Sequence, residues 1–154
     1  MLKTGPTIPP MELALAQAEA AAGRGEVPVG AVIVDSVTGK VLAAAGNRTE
    51  ELADPTAHAE VLAIREACAG RGEPRLPDCD LYVTLEPCGM CAAAISFARL
   101  RRVYFGAYDV KGGGVEHGPR FFHQATCHHA PEIYGGLEER RAAELLKEFF
   151  RRRR

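Results

Sequence analysis

His58-Ala59-Glu60, followed downstream by Pro87-Cys88-Gly89-Met90-Cys91, is where chemistry concentrates in this sequence. One imidazole and two thiolates make three protein ligands for zinc. Three is the number that leaves a fourth coordination position for water, whereas a closed structural site takes four protein donors. The glutamate two residues after the histidine is then available to move protons rather than to bind metal. Zinc, water and a nearby carboxylate are the apparatus of hydrolytic deamination. A lone C-x-x-C is weak evidence and a lone H-x-E weaker; the two together, each expected at a helix start, are specific. Two other readings stay open at this point. The thiols could be merely buried beside a surface histidine, or the zinc could be structural, with Cys127, His128 or His129 as fourth ligand. His117 and His123 read as loop residues.

These residues need a scaffold. Met11 to Arg24 is Ala-rich and helix-favouring, with Pro10 before it and Gly23 and Gly25 at its end. Val27 to Val34 is a β-branched run and reads as a strand, although Pro28 keeps its start out of a central ladder. Thr38-Gly39-Lys40 turns the chain into a second strand, Val41 to Ala45. A helix opens at Thr56 or Ala57 and runs to about Ala69, its apolar face given by Val61, Leu62, Ile64 and Ala67. Leu81 to Leu85 is a third strand, Cys88 to Arg99 a third helix, and Arg102 to Ala107 a fourth strand. An irregular stretch follows from Gly112, with a short strand at Glu132 to Tyr134 and a last helix from Leu137 to about Arg152. Strands alternating with helices predict a layered α/β domain, and the opening hairpin makes its sheet mixed.

In this scheme Cys88 and Cys91 share the first turn of the third helix, where free N–H groups and the helix dipole favour thiolates. His58 comes from the start of the second helix. Glu60 lies about 200° around that helix from His58 if both are helical.

The chain has 154 residues, enough for one domain with its own core but not for two. Residues 1–10, with three prolines, read as a loose lead-in, and 11–154 as a single domain. No apolar stretch approaches the length of a membrane span, and the N-terminus has no apolar signal core, so the expectation is a cytoplasmic protein with no membrane. Five cysteines, an odd number, argue against a disulfide framework. Cys68 reads as a core residue, and Cys79 as part of a turn with no visible role. The formal net charge is only −1, but arginine is concentrated in the last third, ending in Arg151 to Arg154. That run either meets phosphates or is a solvated helix end.

Asp54-Pro55-Thr56-Ala57-His58-Ala59-Glu60 and Thr84-Leu85-Glu86-Pro87-Cys88-Gly89-Met90-Cys91 resemble the bacterial tRNA adenosine deaminases, within the cytidine/deoxycytidylate deaminase superfamily. Val27-Pro28-Val29-Gly30-Ala31, Gly46-Asn47-Arg48, Tyr104-Phe105-Gly106-Ala107 and Phe149-Phe150-Arg151 are similar to that family's blocks, in the same order. The resemblance covers roughly residues 11–154. It implies a three-layer α/β/α cytidine-deaminase-like fold with a five-stranded mixed sheet. It also implies a homodimer, an anticodon stem-loop of tRNA as partner, and conversion of adenosine to inosine at the wobble position.

By the same resemblance His58, Cys88 and Cys91 bind one Zn2+ per subunit, and Glu60 is the catalytic proton carrier. Asn47 bonds the flipped-out nucleoside, and the Ala59 amide helps hold the base. Asp109 sits by the flipped nucleotide, and Phe149 packs on a neighbouring one. Each of three has a plainer reading: Asn47 as a turn residue, Asp109 as a loop cap, and Phe149 or Phe150 as core. The segment from Gly113 to Pro131 departs from the family's motifs, and the resemblance makes it a loop against the anticodon stem. The competing activity is a free-base or nucleoside deaminase acting on guanine, cytosine or cytidine, whose zinc elements would be the same.

Overall fold

The computed structural model describes residues 8–153. The expected lead-in lies outside the described residues as far as residue 7, and so does Arg154.

Helix α1 spans Pro10–Gly23, with Pro10 in the first turn, where its missing N–H costs no hydrogen bond. Strands β1 (Gly30–Asp35) and β2 (Val41–Gly46) form the hairpin. Helix α2 (Ala59–Arg71) ends at Gly72, whose φ of 69° suits a residue without a β-carbon. Strand β3 (Cys79–Leu85), helix α3 (Gly89–Ala98) and strand β4 (Arg102–Ala107) follow. Strand β5 (Glu132–Tyr134) and helix α4 (Glu139–Arg152) close the fold.

The sheet order is β2-β1-β3-β4-β5. β1 runs antiparallel to both β2 and β3, whereas β3, β4 and β5 are parallel. Side-chain alternation along β1 sets the layers. Ala31 and Ile33 point into a core shared with Ala59, Ala63 and Ala67 of α2 and Ala92 and Ile95 of α3. Val32 and Val34 point the other way, into a core with Met11, Ala14 and Leu15 of α1 and Ala142 of α4. The result is the three-layer arrangement expected from the sequence.

The small residues of β1 and α1 matter to this packing. A β-carbon on Gly30 would overlap the Ala14 carbonyl and come within 2.7 Å of the Ala18 nitrogen, so only glycine lets α1 lie this close. The predicted first strand is shorter than its β-branched run. Pro28 cannot donate to a ladder, and Val29 N–H turns back to the Val27 carbonyl at 2.8 Å, so regular pairing begins at Gly30. Cys79, read as a turn residue, instead opens β3 and is fully buried.

Candidate active site

The helices α2 and α3 begin one residue beyond two potential metal ligands. His58 is the N-cap of α2, with extended backbone at φ −73° and ψ 151°. Cys88 is the N-cap of α3, at φ −73° and ψ 174°. Cys88 therefore stands outside the helix whose first turn was expected to contain it, and only Cys91 is helical. Neither cap residue spends its side chain on a capping bond to the free amides of its own helix, so both side chains can turn to another partner.

That partner can be a cation. The Nδ1 of His58 lies 3.6 Å from the Sγ of Cys88 and 3.5 Å from the Sγ of Cys91. All three donor atoms fall within 4.8 Å of one another. Zinc bonds of about 2.3 Å to sulfur and about 2.0–2.1 Å to nitrogen, at tetrahedral angles, put sulfur and nitrogen about 3.5 Å apart. The spacing fits. Among the described residues no fourth His, Cys, Asp or Glu joins the cluster. Cys127 and His129, considered above as a fourth ligand, sit at the far end of α3. There Ser96 donates to the His129 carbonyl at 2.6 Å, and the His129 ring meets the Leu100 carbonyl at 2.7 Å.

The Cys91 thiol bonding to Cys88, with His58 beside it, lowers Cys88 to about 4. The same bond, together with burial, pushes the Cys91 thiol far up. Two thiolates in this space call for a positive ion between them.

Glu60 stands in the first turn of α2 and is 3% exposed. Its Oε1 is buried with no hydrogen-bond partner among the protein atoms. A buried carboxylate oxygen without a donor is costly, so a proton or a water belongs there. Burial raises the Glu60 carboxyl to about 7, with the Cys88 sulfur acting in the same direction. A group poised there can both take and give a proton near neutral pH.

These residues open into a cavity of about 350 Å³, lined also by Val27, Val29, Asn47, Thr49, Ala59, Leu85, Glu86, Asp109 and Gly112. A wider depression of about 480 Å³ between α1, β2 and α2 holds Arg24, Arg48, Glu51 and Glu66 but no cysteine or histidine, so the chemistry belongs to the smaller one. Ala59 is the first residue of α2, and amides of a first helical turn have no partner within their helix.

Asn47 is 6% exposed, and its side-chain amide meets Glu26 and Thr49 only at 3.5 and 3.4 Å. Such long contacts are weak and leave the amide able to serve a ligand. The loop carrying it is held by Glu26, which is 1% exposed and accepts the amides of Glu51 at 2.7 Å and Glu50 at 3.1 Å. Asp109 lines the cavity and also caps its own loop, accepting the Gly112 amide at 2.8 Å. The loop-cap reading is thus seen directly, at a residue that also lines the cavity.

Phe149 is not brought to this cavity. Its ring packs edge-on against Phe150, and the Arg153 guanidinium lies 4.4 Å over its centre. Phe150, 51% exposed, instead lines an adjoining groove with Tyr108, Lys111 and Leu146. Within the arginine run Arg153 reaches back to the loop after α1, whereas Arg151 and Arg152 stay largely exposed. Arg153 donates to the Gly25 carbonyl at 2.5 Å, and Arg151 and Arg152 both pair with Glu148.

Sequence reasoning missed two residues of the site, Glu26 and Glu86. Glu86 is completely buried behind the cysteine turn and collects five hydrogen bonds. Burial acts to raise it, but the Asp109 amide, the His117 ring and the amides of residues 116 and 115 outweigh that and hold it below the ordinary carboxylate range. The only signal for either in the sequence is an acidic residue abutting an apolar run.

The family described as the cytidine and deoxycytidylate deaminase zinc-binding region matches residues 9–107. The tRNA-specific adenosine deaminase of Agrobacterium fabrum is 62% identical over 144 residues, covering 94% of this chain and 93% of its own. A solved deaminase that edits A to I at the wobble position of transfer RNA superposes with a TM-score of 0.87 at 63% identity, covering 89% of this chain and 98% of that one. A solved guanine deaminase from Bacillus subtilis is 42% identical but covers 64% of this chain and 62% of its own, with a TM-score of 0.62.

Proposed function

Because the chain belongs to the cytidine and deoxycytidylate deaminase zinc-binding family, among its tRNA-specific adenosine deaminases, we infer that His58, Cys88 and Cys91 hold its zinc and that Glu60 carries the protons of its reaction. The chain is a zinc hydrolase that converts adenosine to inosine at the wobble position of tRNA. The observation that carries the assignment of roles is the buried, partnerless Oε1 of Glu60 beside three convergent metal donors.

Zinc held by His58, Cys88 and Cys91 would supply an acidified water as nucleophile for C6 of the purine. Glu60 accepts a proton from that water and delivers it to purine N1. It then takes the proton of the new C6 hydroxyl and passes it to the amine leaving C6, so that adenosine and water become inosine and ammonia. The side chain of Asn47 and the amide of Ala59 orient the flipped-out base. Asp109 meets the nucleotide at the cavity mouth, and Phe149 serves a neighbouring nucleotide of the anticodon loop. Residues 11–154 act as one domain behind a lead-in over residues 1–10.

The enzyme works as a homodimer in the cytoplasm. In support of the dimer, Met90 and Phe97 lie seven residues apart on α3, at 38% and 74% exposure, and give that helix an apolar outer stripe. No described helix is long and apolar enough to cross a membrane.

The test is a mass-spectrometric assay on an anticodon stem-loop with adenosine at the wobble position, run beside guanine, cytosine and cytidine. Inosine in the stem-loop with the small substrates untouched is the expected result. Consumption of a free base or nucleoside with the stem-loop unchanged would replace the reading with the free-substrate activity.

A further inference from the structure

We propose that Glu86 is a positioning residue that pins residues 109–117 as a wall of the substrate cavity, and that the enzyme's grip on its RNA depends on that clamp. The proposal rests on the tRNA deaminase reading and adds a residue whose carboxylate acts only through the segment it holds. Its carboxylate is wholly buried, and both oxygens are spent on one segment. Oε1 accepts the Asp109 amide at 3.0 Å and contacts the His117 ring at 2.8 Å. Oε2 accepts the amides of Val115, Glu116 and His117 at 3.2, 2.9 and 3.2 Å. Three successive amides converging on one oxygen form a concave anion nest, here filled by the protein's own side chain.

The glycines of this stretch are shaped to the clamp. A β-carbon on Gly113 would overlap the Glu86 carboxylate, and one on Gly114 would come within 2.5 Å of the Gly89 nitrogen. The Gly114 amide also donates to the Pro87 carbonyl at 2.8 Å. The segment that looks irregular in sequence is therefore seated against the turn that carries Cys88. Asp109 and Gly112, at its near end, line the cavity. The cysteine turn has supports of its own: the Glu86 amide continues the sheet by donating to the Ala107 carbonyl at 2.8 Å, and the Cys88 carbonyl accepts the Ala92 amide at 2.8 Å. Releasing the clamp should thus loosen the cavity wall before it loosens the metal.

Glu86→Gln keeps the shape but turns one acceptor into a donor facing N–H groups, and Gly113→Ala wedges the clamp open from the other side. His117→Ala removes a single contact and is the mild variant should either of the others fail to fold. Zinc-loaded wild type and variants are compared by amide hydrogen exchange over residues 113–117, zinc per chain, and kcat and KM on the stem-loop. The expected result is faster exchange, unchanged zinc and a KM raised about tenfold with kcat nearly unchanged, graded from His117→Ala upward. Unchanged exchange in the folded variants overturns the clamp. A fall in kcat at constant KM, or activity lost in step with zinc, overturns its role in substrate grip. Exchange and zinc need no RNA, so a wild-type enzyme inert on the stem-loop would sink the functional reading while the clamp is still judged by exchange.

Discussion

His58 and Cys88 occupy equivalent places in two different helices: each is the N-cap residue, and each has φ of −73° and extended ψ. A residue in that position ordinarily turns its side chain back to cap the first free amides. Here neither does, and the two side chains meet 3.6 Å apart instead. The uncapped first turns then present their N–H groups and positive dipole ends toward the same small space, where thiolates and developing negative charge are favoured. Glu60, in the first turn behind His58, takes its aim from this break in the helix. The 200° azimuth that separates two helical residues does not apply across a cap.

Glu60→Ala should lower turnover by about 10²–10⁴-fold while leaving zinc content and RNA affinity near wild type. Inosine formation in single-turnover assays, paired with metal analysis, checks this. Retained turnover would remove Glu60 from the proton path.

Zinc uptake by the stripped protein should release protons at pH 7 and raise Tm. The Cys91 thiol, held protonated by its bond to Cys88 and by burial, must lose its proton to become a ligand. Calorimetry in buffers of differing ionisation enthalpy measures the release, and Cys91→Ser should weaken zinc binding. Uptake without proton release would contradict a Cys91 thiol that is protonated before the metal arrives.

Arg153→Ala should destabilise the protein by about 0.5–1 kcal/mol, through loss of the stacking on Phe149 and the bond to the Gly25 carbonyl. Arg151→Ala and Arg152→Ala should leave Tm nearly unchanged, because exposed pairs with Glu148 contribute little. If these two meet phosphate, each substitution should flatten the salt dependence of stem-loop binding by about 0.7 in log–log slope. Thermal melts and binding titrations at several salt concentrations separate the two roles.

Asp35→Asn should cost stability at neutral pH and cost progressively less in acid. The amides of Val37 and Thr38, then Arg71 at 2.6 Å, hold the Asp35 carboxyl below its ordinary value. A depressed folded-state value stabilises above the unfolded one, near about 3.9, and that contribution is lost as pH falls through the folded value. Denaturation curves of both proteins at pH 7 and at about pH 3 check the convergence.

Gly30→Ala should destabilise by about 1–3 kcal/mol or more, since α1 must move off β1 to admit the methyl group. Chemical denaturation measures it, and a neutral result would mean that α1 has room to shift.

Much of this fold is legible in the sequence, for local reasons. The β-branched and aromatic residues of β1, β3 and β4 and the Ala-rich helices between them carry their periodicity openly, and even the three-residue β5 is marked by Glu132-Ile133-Tyr134. The failures are equally physical. The run from Val27 looks like strand to its first residue, yet Pro28 lacks the N–H that pairing needs, and those residues line the cavity instead. The caps His58 and Cys88 look helical because their neighbours are. Glu26 and Glu86 are illegible because their partners are backbone amides 23 to 31 positions away, which every residue type supplies.

The amides that Glu86 gathers belong to Asp109, Val115, Glu116 and His117, and an amide is the same whatever side chain it carries. A wall fastened by its main chain keeps its path while most of its outward faces are exchanged, provided the glycines beneath stay small. Diversification of which nucleic acid is admitted can then proceed by surface replacement alone, without disturbing the catalytic turn it rests on.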